Sequence, residues 1–152
     1  MTKTVVEKPA DLLTMVGRTL GPSQPLTITQ ARIDQFAEAT GDHQWIHVDP
    51  LKAANGPFGK TIAHGYLTLS LANCFLPELI EVQNVSMGVN YGTERIRFPS
   101  PVPVDSDIVA SGEIIAVEEN KGGFKATIRV TISVVDAERP ACIVDTISIF
   151  YP

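Results

Sequence analysis

Asp42 and His47 are the two side chains of this sequence best placed by type and spacing to perform acid–base chemistry. They lie five residues apart in the segment 39–47, which reads ATGDHQWIH. A carboxylate is ionised at neutral pH, and an imidazole titrates near neutrality. Two such groups around one water molecule could deprotonate it and protonate a neighbouring carbon. An Asp that caps a helix beside a hydrogen-bonded His would give the same pattern, so the spacing alone leaves both interpretations open.

A second segment with chemical potential reads TIAHGYL, from residue 61 to residue 67. Gly65 is predicted to lie where a buried helix begins, and free backbone N–H groups at such a point attract negative charge. A glycine also lets a ligand approach the backbone closely. Gly65 is therefore a candidate donor to a carbonyl oxygen that becomes an oxyanion. A glycine that simply permits tight packing is the alternative.

Ser70 and the other polar residues nearby have less specific interpretations. The Ser70 hydroxyl could hold a carboxylate such as Asp42, or it could bond its own helix backbone, as mid-helix serines usually do. We expect His43 to be exposed, His64 to position the loop before Gly65, and Trp45 to fill core, with a place in a pocket wall as the alternative for Trp45. Three histidines with scattered acidic residues show no known ligand spacing, so no metal site is predicted. Phosphate-binding glycine motifs and a GxSxG elbow are likewise missing.

The bulk composition limits the class of protein. The 152 residues suit one domain spanning residues 1–152. With 12 basic and 17 acidic residues the formal net charge is −5, which does not suggest a nucleic-acid partner. The most apolar stretch, residues 62–76, is too short to span a bilayer, and the N-terminus lacks a signal-peptide core, so we expect a cytoplasmic protein without membrane contact. Cys74 and Cys142 lie in apolar surroundings and are predicted to be buried free thiols.

The first half of the chain is predicted to consist of helices and loops. A short helix is expected over residues 9–16, and a clearer helix follows. Either Thr27 or Thr29 could cap it, and Thr27 with Gln30 makes a possible capping box. Gly41 ends that helix, so Asp42 stands at a sharp corner. Residues 50–55 are expected to form one or two helical turns, with Asp49 as N-cap and Pro50 at the first position. Residues 64–76 are predicted to form a helix that is buried on all sides.

The second half is predicted to be strands, because it is rich in Val, Ile and Thr. The expected strands cover residues 82–98, 108–117, 124–135 and 142–151. Lys121–Gly123 is predicted to be a hairpin turn. A curved antiparallel sheet wrapped around one apolar helix would bury the apolar surface of both, which predicts an α+β fold. The exposed edges of such a sheet favour pairing with a second copy, which predicts a homodimer.

Taken together, these motifs resemble those of the MaoC-like, hydratase-2 family of (R)-specific enoyl-CoA hydratases. The matching residues are Gly41-Asp42, His47 and His64-Gly65, together with a later stretch from Arg97-Phe98-Pro99 to Asp107. The resemblance extends from about residue 26 to the end of the chain. Where that family often has Asn-Pro, this chain has Gln44-Trp45, which is similar to the nodulation-protein-N-like branch.

The resemblance implies a hot-dog fold, a homodimer and a thioester substrate carried by CoA or a carrier protein, with no cofactor. It also implies roles for the candidate residues. Asp42 and His47 would activate one water for syn addition to a trans-2-enoyl thioester, giving an (R)-3-hydroxyacyl thioester. The Gly65 N–H would bind the thioester carbonyl, and Ser70 would orient Asp42. Which of Asp42 and His47 acts as base is not decided by the sequence.

Two other functions are compatible with the same sequence, namely a hot-dog thioesterase and a non-catalytic acyl-CoA-binding module. Thiol release from acyl-CoA would indicate the first, and tight binding without turnover would indicate the second. The basic residues that are candidates for binding the CoA phosphates are Arg95, Arg97, Lys121 and Lys125. Exposed charges at strand edges are more often simply solvated.

Overall fold

The computed structural model describes residues 3–152, which form eight β-strands, five α-helices and one 3-10 helix. The strands are β1 (Thr4–Val6), β2 (Thr19–Leu20), β3 (Leu26–Ile28), β4 (Ile80–Val82), β5 (Met87–Arg97), β6 (Ser106–Asn120), β7 (Gly123–Val134) and β8 (Cys142–Tyr151). The α-helices are α1 (Gln30–Thr40), α2 (Trp45–Val48), α3 (Pro50–Ala54), α4 (Gly65–Ser70) and α5 (Ala72–Leu79), and the 3-10 helix is Pro9–Thr14. Each described helix is too short or too polar to cross a membrane.

The main sheet is antiparallel and follows the order β2-β6-β7-β8-β5, with β3 also paired to β6. Strands β1 and β4 form a separate parallel ribbon. The pairing shifts register in β6 between Ile114 and Ala116, and twice in β5. Such bulges bend strands and increase their twist. They account for the curvature with which the sheet wraps around the helices.

Strand β7 shows how the sequence pattern decides which face of the sheet is covered. Its buried residues alternate with half-buried ones, as a strand with one covered face requires. Ile128, Val130 and Ile132 face inwards opposite residues of β8. They join Leu67, Leu71, Phe75 and Leu79 of the helices in one apolar core. The predicted alternation of residues 124–135 is confirmed.

The helix predicted over residues 64–76 is two helices, α4 and α5, that meet at Leu71. The prediction that it is buried on all sides is wrong. Tyr66, Ser70, Asn73 and Cys74 are exposed, because the sheet covers one side of the helix pair and leaves the other open. Cys74 is therefore an exposed thiol rather than a buried one, whereas Cys142 is buried as predicted.

Of the two threonines that could cap α1, the structure uses the second, and the possible capping box is not formed. Thr29, not Thr27, is the N-cap, and its side-chain oxygen accepts a hydrogen bond from the Arg32 N–H. Thr27 lies in β3, and its hydroxyl donates to Asp107. The capping box is absent because pairing with β6 keeps Thr27 extended. The strands β1 to β3 were not predicted, since two or three residues carry too little periodicity to be recognised.

Several predicted turns are confirmed by the backbone. Gly41 takes up the left-handed conformation with φ 81° at the end of α1, and its N–H donates to the Ala37 carbonyl. Asp49 caps α3, and Pro50 is that helix's first residue. Lys121 and Gly122 both have positive φ in the turn that joins β6 to β7. This is the backbone that a two-residue hairpin turn requires.

Candidate active site

Asp42 stands immediately after the glycine that ends α1, so its main chain is fixed by the corner. Its backbone carbonyl accepts a hydrogen bond from Nε2 of His64 at 2.9 Å. The side chain is exposed, and one carboxylate oxygen lies 3.4 Å from the backbone nitrogen of Gln44. That contact is longer than a strong hydrogen bond, so the carboxylate keeps most of its capacity to accept hydrogen bonds from a ligand.

His47 lies in the short helix α2 and is held at both its ring and its backbone. Its Nδ1 is 2.7 Å from the Ile62 carbonyl oxygen. A carbonyl can only accept, so Nδ1 carries a hydrogen and Nε2 is the ring nitrogen left for chemistry. The backbone carbonyl of His47 accepts a hydrogen bond from Nε2 of Gln30 at 2.8 Å. Gln30 in turn accepts a hydrogen bond from the buried Thr61 hydroxyl at 2.6 Å.

The segment Thr61–Ala63, which contains the Ile62 carbonyl, is itself held in place by backbone hydrogen bonds. Ile62 N–H donates to the Ile46 carbonyl, and Ala63 N–H donates to the Val102 carbonyl. An isolated bridge pairs Ile62 with Pro103. The acceptor for His47 Nδ1 therefore belongs to a rigid part of the fold, which fixes the orientation of the imidazole.

Burial of His47 lowers the pKa of its imidazole below 6.5, because a charged ring loses solvation there. The hydrogen bond to the Ile62 carbonyl opposes this effect, nearby His64 lowers the pKa further, and Asp42 raises it. The net direction is downwards. His47 is therefore neutral at pH 7 and can accept a proton on Nε2.

His64 brings the two candidate groups together. Its ring is buried and stacks on the ring of His47 with centroids 3.9 Å apart and planes inclined by 23°. One ligand atom from each of Asp42, His47 and His64 lies within 4.8 Å of the others. The sequence placed His64 in the loop before Gly65, but it gave no sign of this stacking.

This cluster of one carboxylate and two imidazoles raises the question of a metal ion. Nδ1 of His47 and Nε2 of His64 both donate to carbonyl oxygens, so one lone pair remains on each ring. Because the rings are stacked, those lone pairs lie in nearly parallel planes rather than converging on one point. Zinc prefers ligands that converge tetrahedrally. The geometry suits proton transfer better than metal binding.

A cavity of about 290 Å³ adjoins His47 and has a largely apolar lining. Its lining residues include His47, Phe58, Ile62, Gly65, Thr68, Phe98 and Val102. Gly65 is the first residue of α4, and a Cβ placed on it would lie 3.1 Å from the Phe98 ring. A glycine here is needed for packing, and it also leaves the backbone at the helix start open to the cavity.

Within the part of the chain that the structure describes, Ser70 does not make the predicted contact with Asp42. Its hydroxyl donates to the Tyr66 carbonyl at 2.6 Å, which is the within-helix alternative. His43 is exposed as expected, with Nε2 3.6 Å from a carboxylate oxygen of Glu38. Trp45 is half-buried, with Lys52 over its ring at 4.8 Å.

The four candidate phosphate-binding residues lie in different parts of the sheet. Arg97 ends β5 and directly precedes Phe98 of the cavity wall. Lys125 is 3.2 Å from a Glu118 carboxylate oxygen and also lies over the Tyr91 ring. Arg95 lies within β5, and Lys121 forms the turn between β6 and β7. Of the four, Arg97 is therefore the one adjacent in sequence to the cavity.

Comparison with known proteins places this fold and site in a known group. A family profile described as "MaoC like domain" matches residues 11–138. The chain is 45% identical over 142 residues to 3-hydroxyacyl-thioester dehydratase Z of Mycobacterium tuberculosis, covering 93% of this chain and 94% of that protein. It is 41% identical over 145 residues to nodulation protein N of Rhizobium leguminosarum bv. viciae, covering 92% and 89%.

Among solved structures, the (R)-hydratase of A. caviae involved in PHA biosynthesis superposes with a TM-score of 0.72 and 25% sequence identity, covering 90% of this chain and 96% of that one. A helix pair wrapped by a curved antiparallel sheet, with neighbours of this kind, defines a hot-dog protein. The chain belongs to the MaoC-like domain family. The predicted fold and the resemblance found in the sequence are both confirmed.

Proposed function

We propose that this protein adds water to the double bond of a trans-2-enoyl thioester and forms an (R)-3-hydroxyacyl thioester. The observation that supports this most directly is the juxtaposition of Asp42 and a neutral, oriented His47 beside an apolar cavity. Hydration and dehydration are one reaction in two directions, which agrees with the names of the dehydratase and (R)-hydratase relatives. The pair Asp42 and His47 is proposed as the catalytic dyad.

In the proposed reaction the dyad activates one water molecule. His47 Nε2 takes a proton from the water while Asp42 holds the water through its other hydrogen. The water oxygen bonds to carbon 3 of the thioester, and the proton on His47 is delivered to carbon 2 on the same face. Enolate charge develops on the thioester oxygen in between, and the Gly65 N–H is proposed to stabilise it. We assign no hydrogen bond from Ser70 to Asp42.

The acyl group is proposed to enter the cavity beside His47, since its lining is largely apolar. The carrier, CoA or an acyl-carrier protein, would remain outside, where Arg97 is the basic residue next to the cavity wall. A hydration assay with enoyl-CoAs of increasing length tests the acyl part. Comparison with the same enoyl group on a carrier protein tests the carrier.

A homodimer is also proposed, and strand β5 supports it. Within residues 3–152, β5 pairs with β8 on one side and has no strand partner on the other. The strand is exposed along most of its length, including Met87 and Tyr91, the latter 61% exposed. A free edge strand with apolar side chains is suited to pairing with another chain. Light scattering should give twice the monomer mass, and a charged substitution at Tyr91 should weaken the association.

The test of the proposed reaction follows the loss of the enoyl chromophore of crotonyl-CoA. Asp42→Asn and His47→Ala should each lower kcat by at least about 10²-fold. His43→Ala is the matched control, because His43 is an exposed histidine in the same segment, and it should keep the wild-type rate. Chiral analysis should give the (R) product.

Three results would contradict the proposal. The first is turnover that survives in both dyad variants. The second is release of free thiol from saturated acyl-CoA, which would indicate a thioesterase. The third is tight binding of acyl-CoA with no turnover at any chain length, which would indicate a non-catalytic binding module.

A further inference from the structure

His64 is buried at the junction of the three elements that form the site. It is 3% exposed and occupies the N-cap position of α4, where its side chain makes no capping hydrogen bond. Its Nε2 donates to the main-chain carbonyl of Asp42, and one face of its ring stacks on His47. The ring also packs against Phe36 of α1, with centroids 4.9 Å apart. One side chain thus touches the last helix before Asp42, Asp42 itself and His47.

The Nδ1 atom of His64 is buried and has no hydrogen-bond partner within the described part of the chain. Burying an acceptor without a donor is unfavourable, so an apolar residue of similar size would pack better at this position. Since Nδ1 has no acceptor and Nε2 bonds a carbonyl oxygen, the ring hydrogen lies on Nε2. In this tautomer the one hydrogen bond of the ring goes to the Asp42 carbonyl. The imidazole is therefore suited to holding the main chain of Asp42 rather than to filling space.

Asp42 and His47 are otherwise anchored to different parts of the fold. The main chain at Asp42 is fixed by the glycine cap of α1, whereas His47 is fixed by Ile62 and Gln30. A small shift of one anchor relative to the other would change the distance across which the two side chains share a water. His64 is the direct bridge between them, since its Nε2 bonds the Asp42 carbonyl and its ring face stacks on the His47 ring.

We propose that His64 is a positioning residue that keeps Asp42 and His47 in the correct relative placement for hydration. The inference rests on the proposed function, because it assigns to His64 a role in the same dyad. His64 is assigned no contact with the substrate. It acts through the Asp42 main chain and the His47 ring.

The variants His64→Leu and His64→Gln separate positioning from packing. Leucine preserves apolar volume but removes the donor to Asp42, so kcat should fall by about 10²-fold with KM unchanged. Glutamine places an amide nitrogen near the former Nε2 and should recover most of that loss. His43→Gln is the matched control and should behave as wild type. Equal activity of His64→Leu and wild type, or failure of His64→Gln to recover any rate, would overturn the proposal.

The pH profile separates loss of the His64 ring from loss of folded protein. The titratable groups that face His64 are Asp42 and His47, and His64 is one of the groups that lower the pKa of His47. Removing it should raise the pKa of His47, so the acidic limb of the kcat/KM profile should move to higher pH in both variants. A loss of folded protein alone would lower the rate at every pH without moving the limb.

Imidazole NMR keeps the test independent of turnover. Wild-type spectra should show His64 protonated on Nε2 and His47 protonated on Nδ1 at neutral pH, and His47 should titrate at higher pH in His64→Gln. If wild-type protein fails to hydrate enoyl thioesters, the proposed function fails, and these spectra still decide the geometry. If hydration occurs but His64 is protonated on Nδ1, the positioning role fails.

Discussion

Gln30 is expected to contribute measurably to stability through its link to His47. Its Nε2 donates to the His47 carbonyl at 2.8 Å, and its Oε1 accepts from the Thr61 hydroxyl at 2.6 Å. Gln30→Ala removes both bonds. It leaves the Thr61 hydroxyl, whose residue is 1% exposed, without its acceptor.

The magnitude follows from these two contacts. Loss of the bond to the His47 carbonyl costs about 1 kcal/mol, and a buried hydroxyl left without a partner costs about 1–3 kcal/mol. A further bond from Gln30 to Asp34 is exposed and adds little. We therefore expect Gln30→Ala to lower the free energy of unfolding by about 2–4 kcal/mol. It should also lower kcat, because the backbone of His47 loses its anchor.

Urea denaturation followed by circular dichroism measures the effect. Thr61→Val, which removes the hydroxyl but keeps the shape, should cost about 1 kcal/mol, and the double variant should show a coupling of about 1–2 kcal/mol. Gln83→Ala is the control, since Gln83 is exposed and bonds the neighbouring Glu81, and it should change stability by less than about 0.5 kcal/mol. If Gln30→Ala changes stability no more than Gln83→Ala does, the link does not hold His47.

Three further predictions concern the site and the thiols. Because burial lowers the pKa of His47, kcat/KM should rise with pH through a midpoint below 6.5. The same shift should lower the free energy of unfolding as the pH falls from 6.5 through that midpoint. A midpoint above 6.5 would contradict the assignment. Gly65→Ala should lower kcat, since a Cβ would lie 3.1 Å from the Phe98 ring. Adding Phe98→Leu to that variant should relieve part of the loss. An unchanged rate in Gly65→Ala would show that the helix start is not used. Iodoacetamide should modify exposed Cys74 quickly and Cys142 slowly, because burial raises the pKa of Cys142 to about 11. Mass spectrometry of the labelled native protein measures both rates, and equal labelling would refute the prediction.

Much of the fold was predictable because it depends on neighbouring residues. Alternation of apolar and polar residues in 124–135 predicts a strand with one covered face, and Lys121-Gly122 predicts the hairpin before it. Gly41 predicts the end of α1, and so places Asp42 at a corner. These signals are local, since φ preferences and side-chain period belong to the segment itself.

The helix pair α4–α5 shows where such reasoning ends. Its composition predicts burial on every side, yet Cys74 and Tyr66 are exposed, the latter by 68%. The hydrophobicity of a helix indicates that it tends to be buried. It does not indicate how far the sheet extends over it. The extent of the sheet depends on the bulges and lengths of β5 to β8, which no residue of the helix encodes.

The sequence by itself determined the long strands of the second half, the corner at Asp42 and the presence of an Asp–His pair with a His-Gly at a helix start. Only the tertiary structure decided how that pair is held. Gln30 reaches His47 across 17 positions, and His64 reaches Asp42 across 22. Such bonds form because packing brings distant segments together, and no spacing within one segment records them. For the same reason Ser70 could be read in two ways from the sequence, and its bond to Tyr66 became visible only in the folded chain.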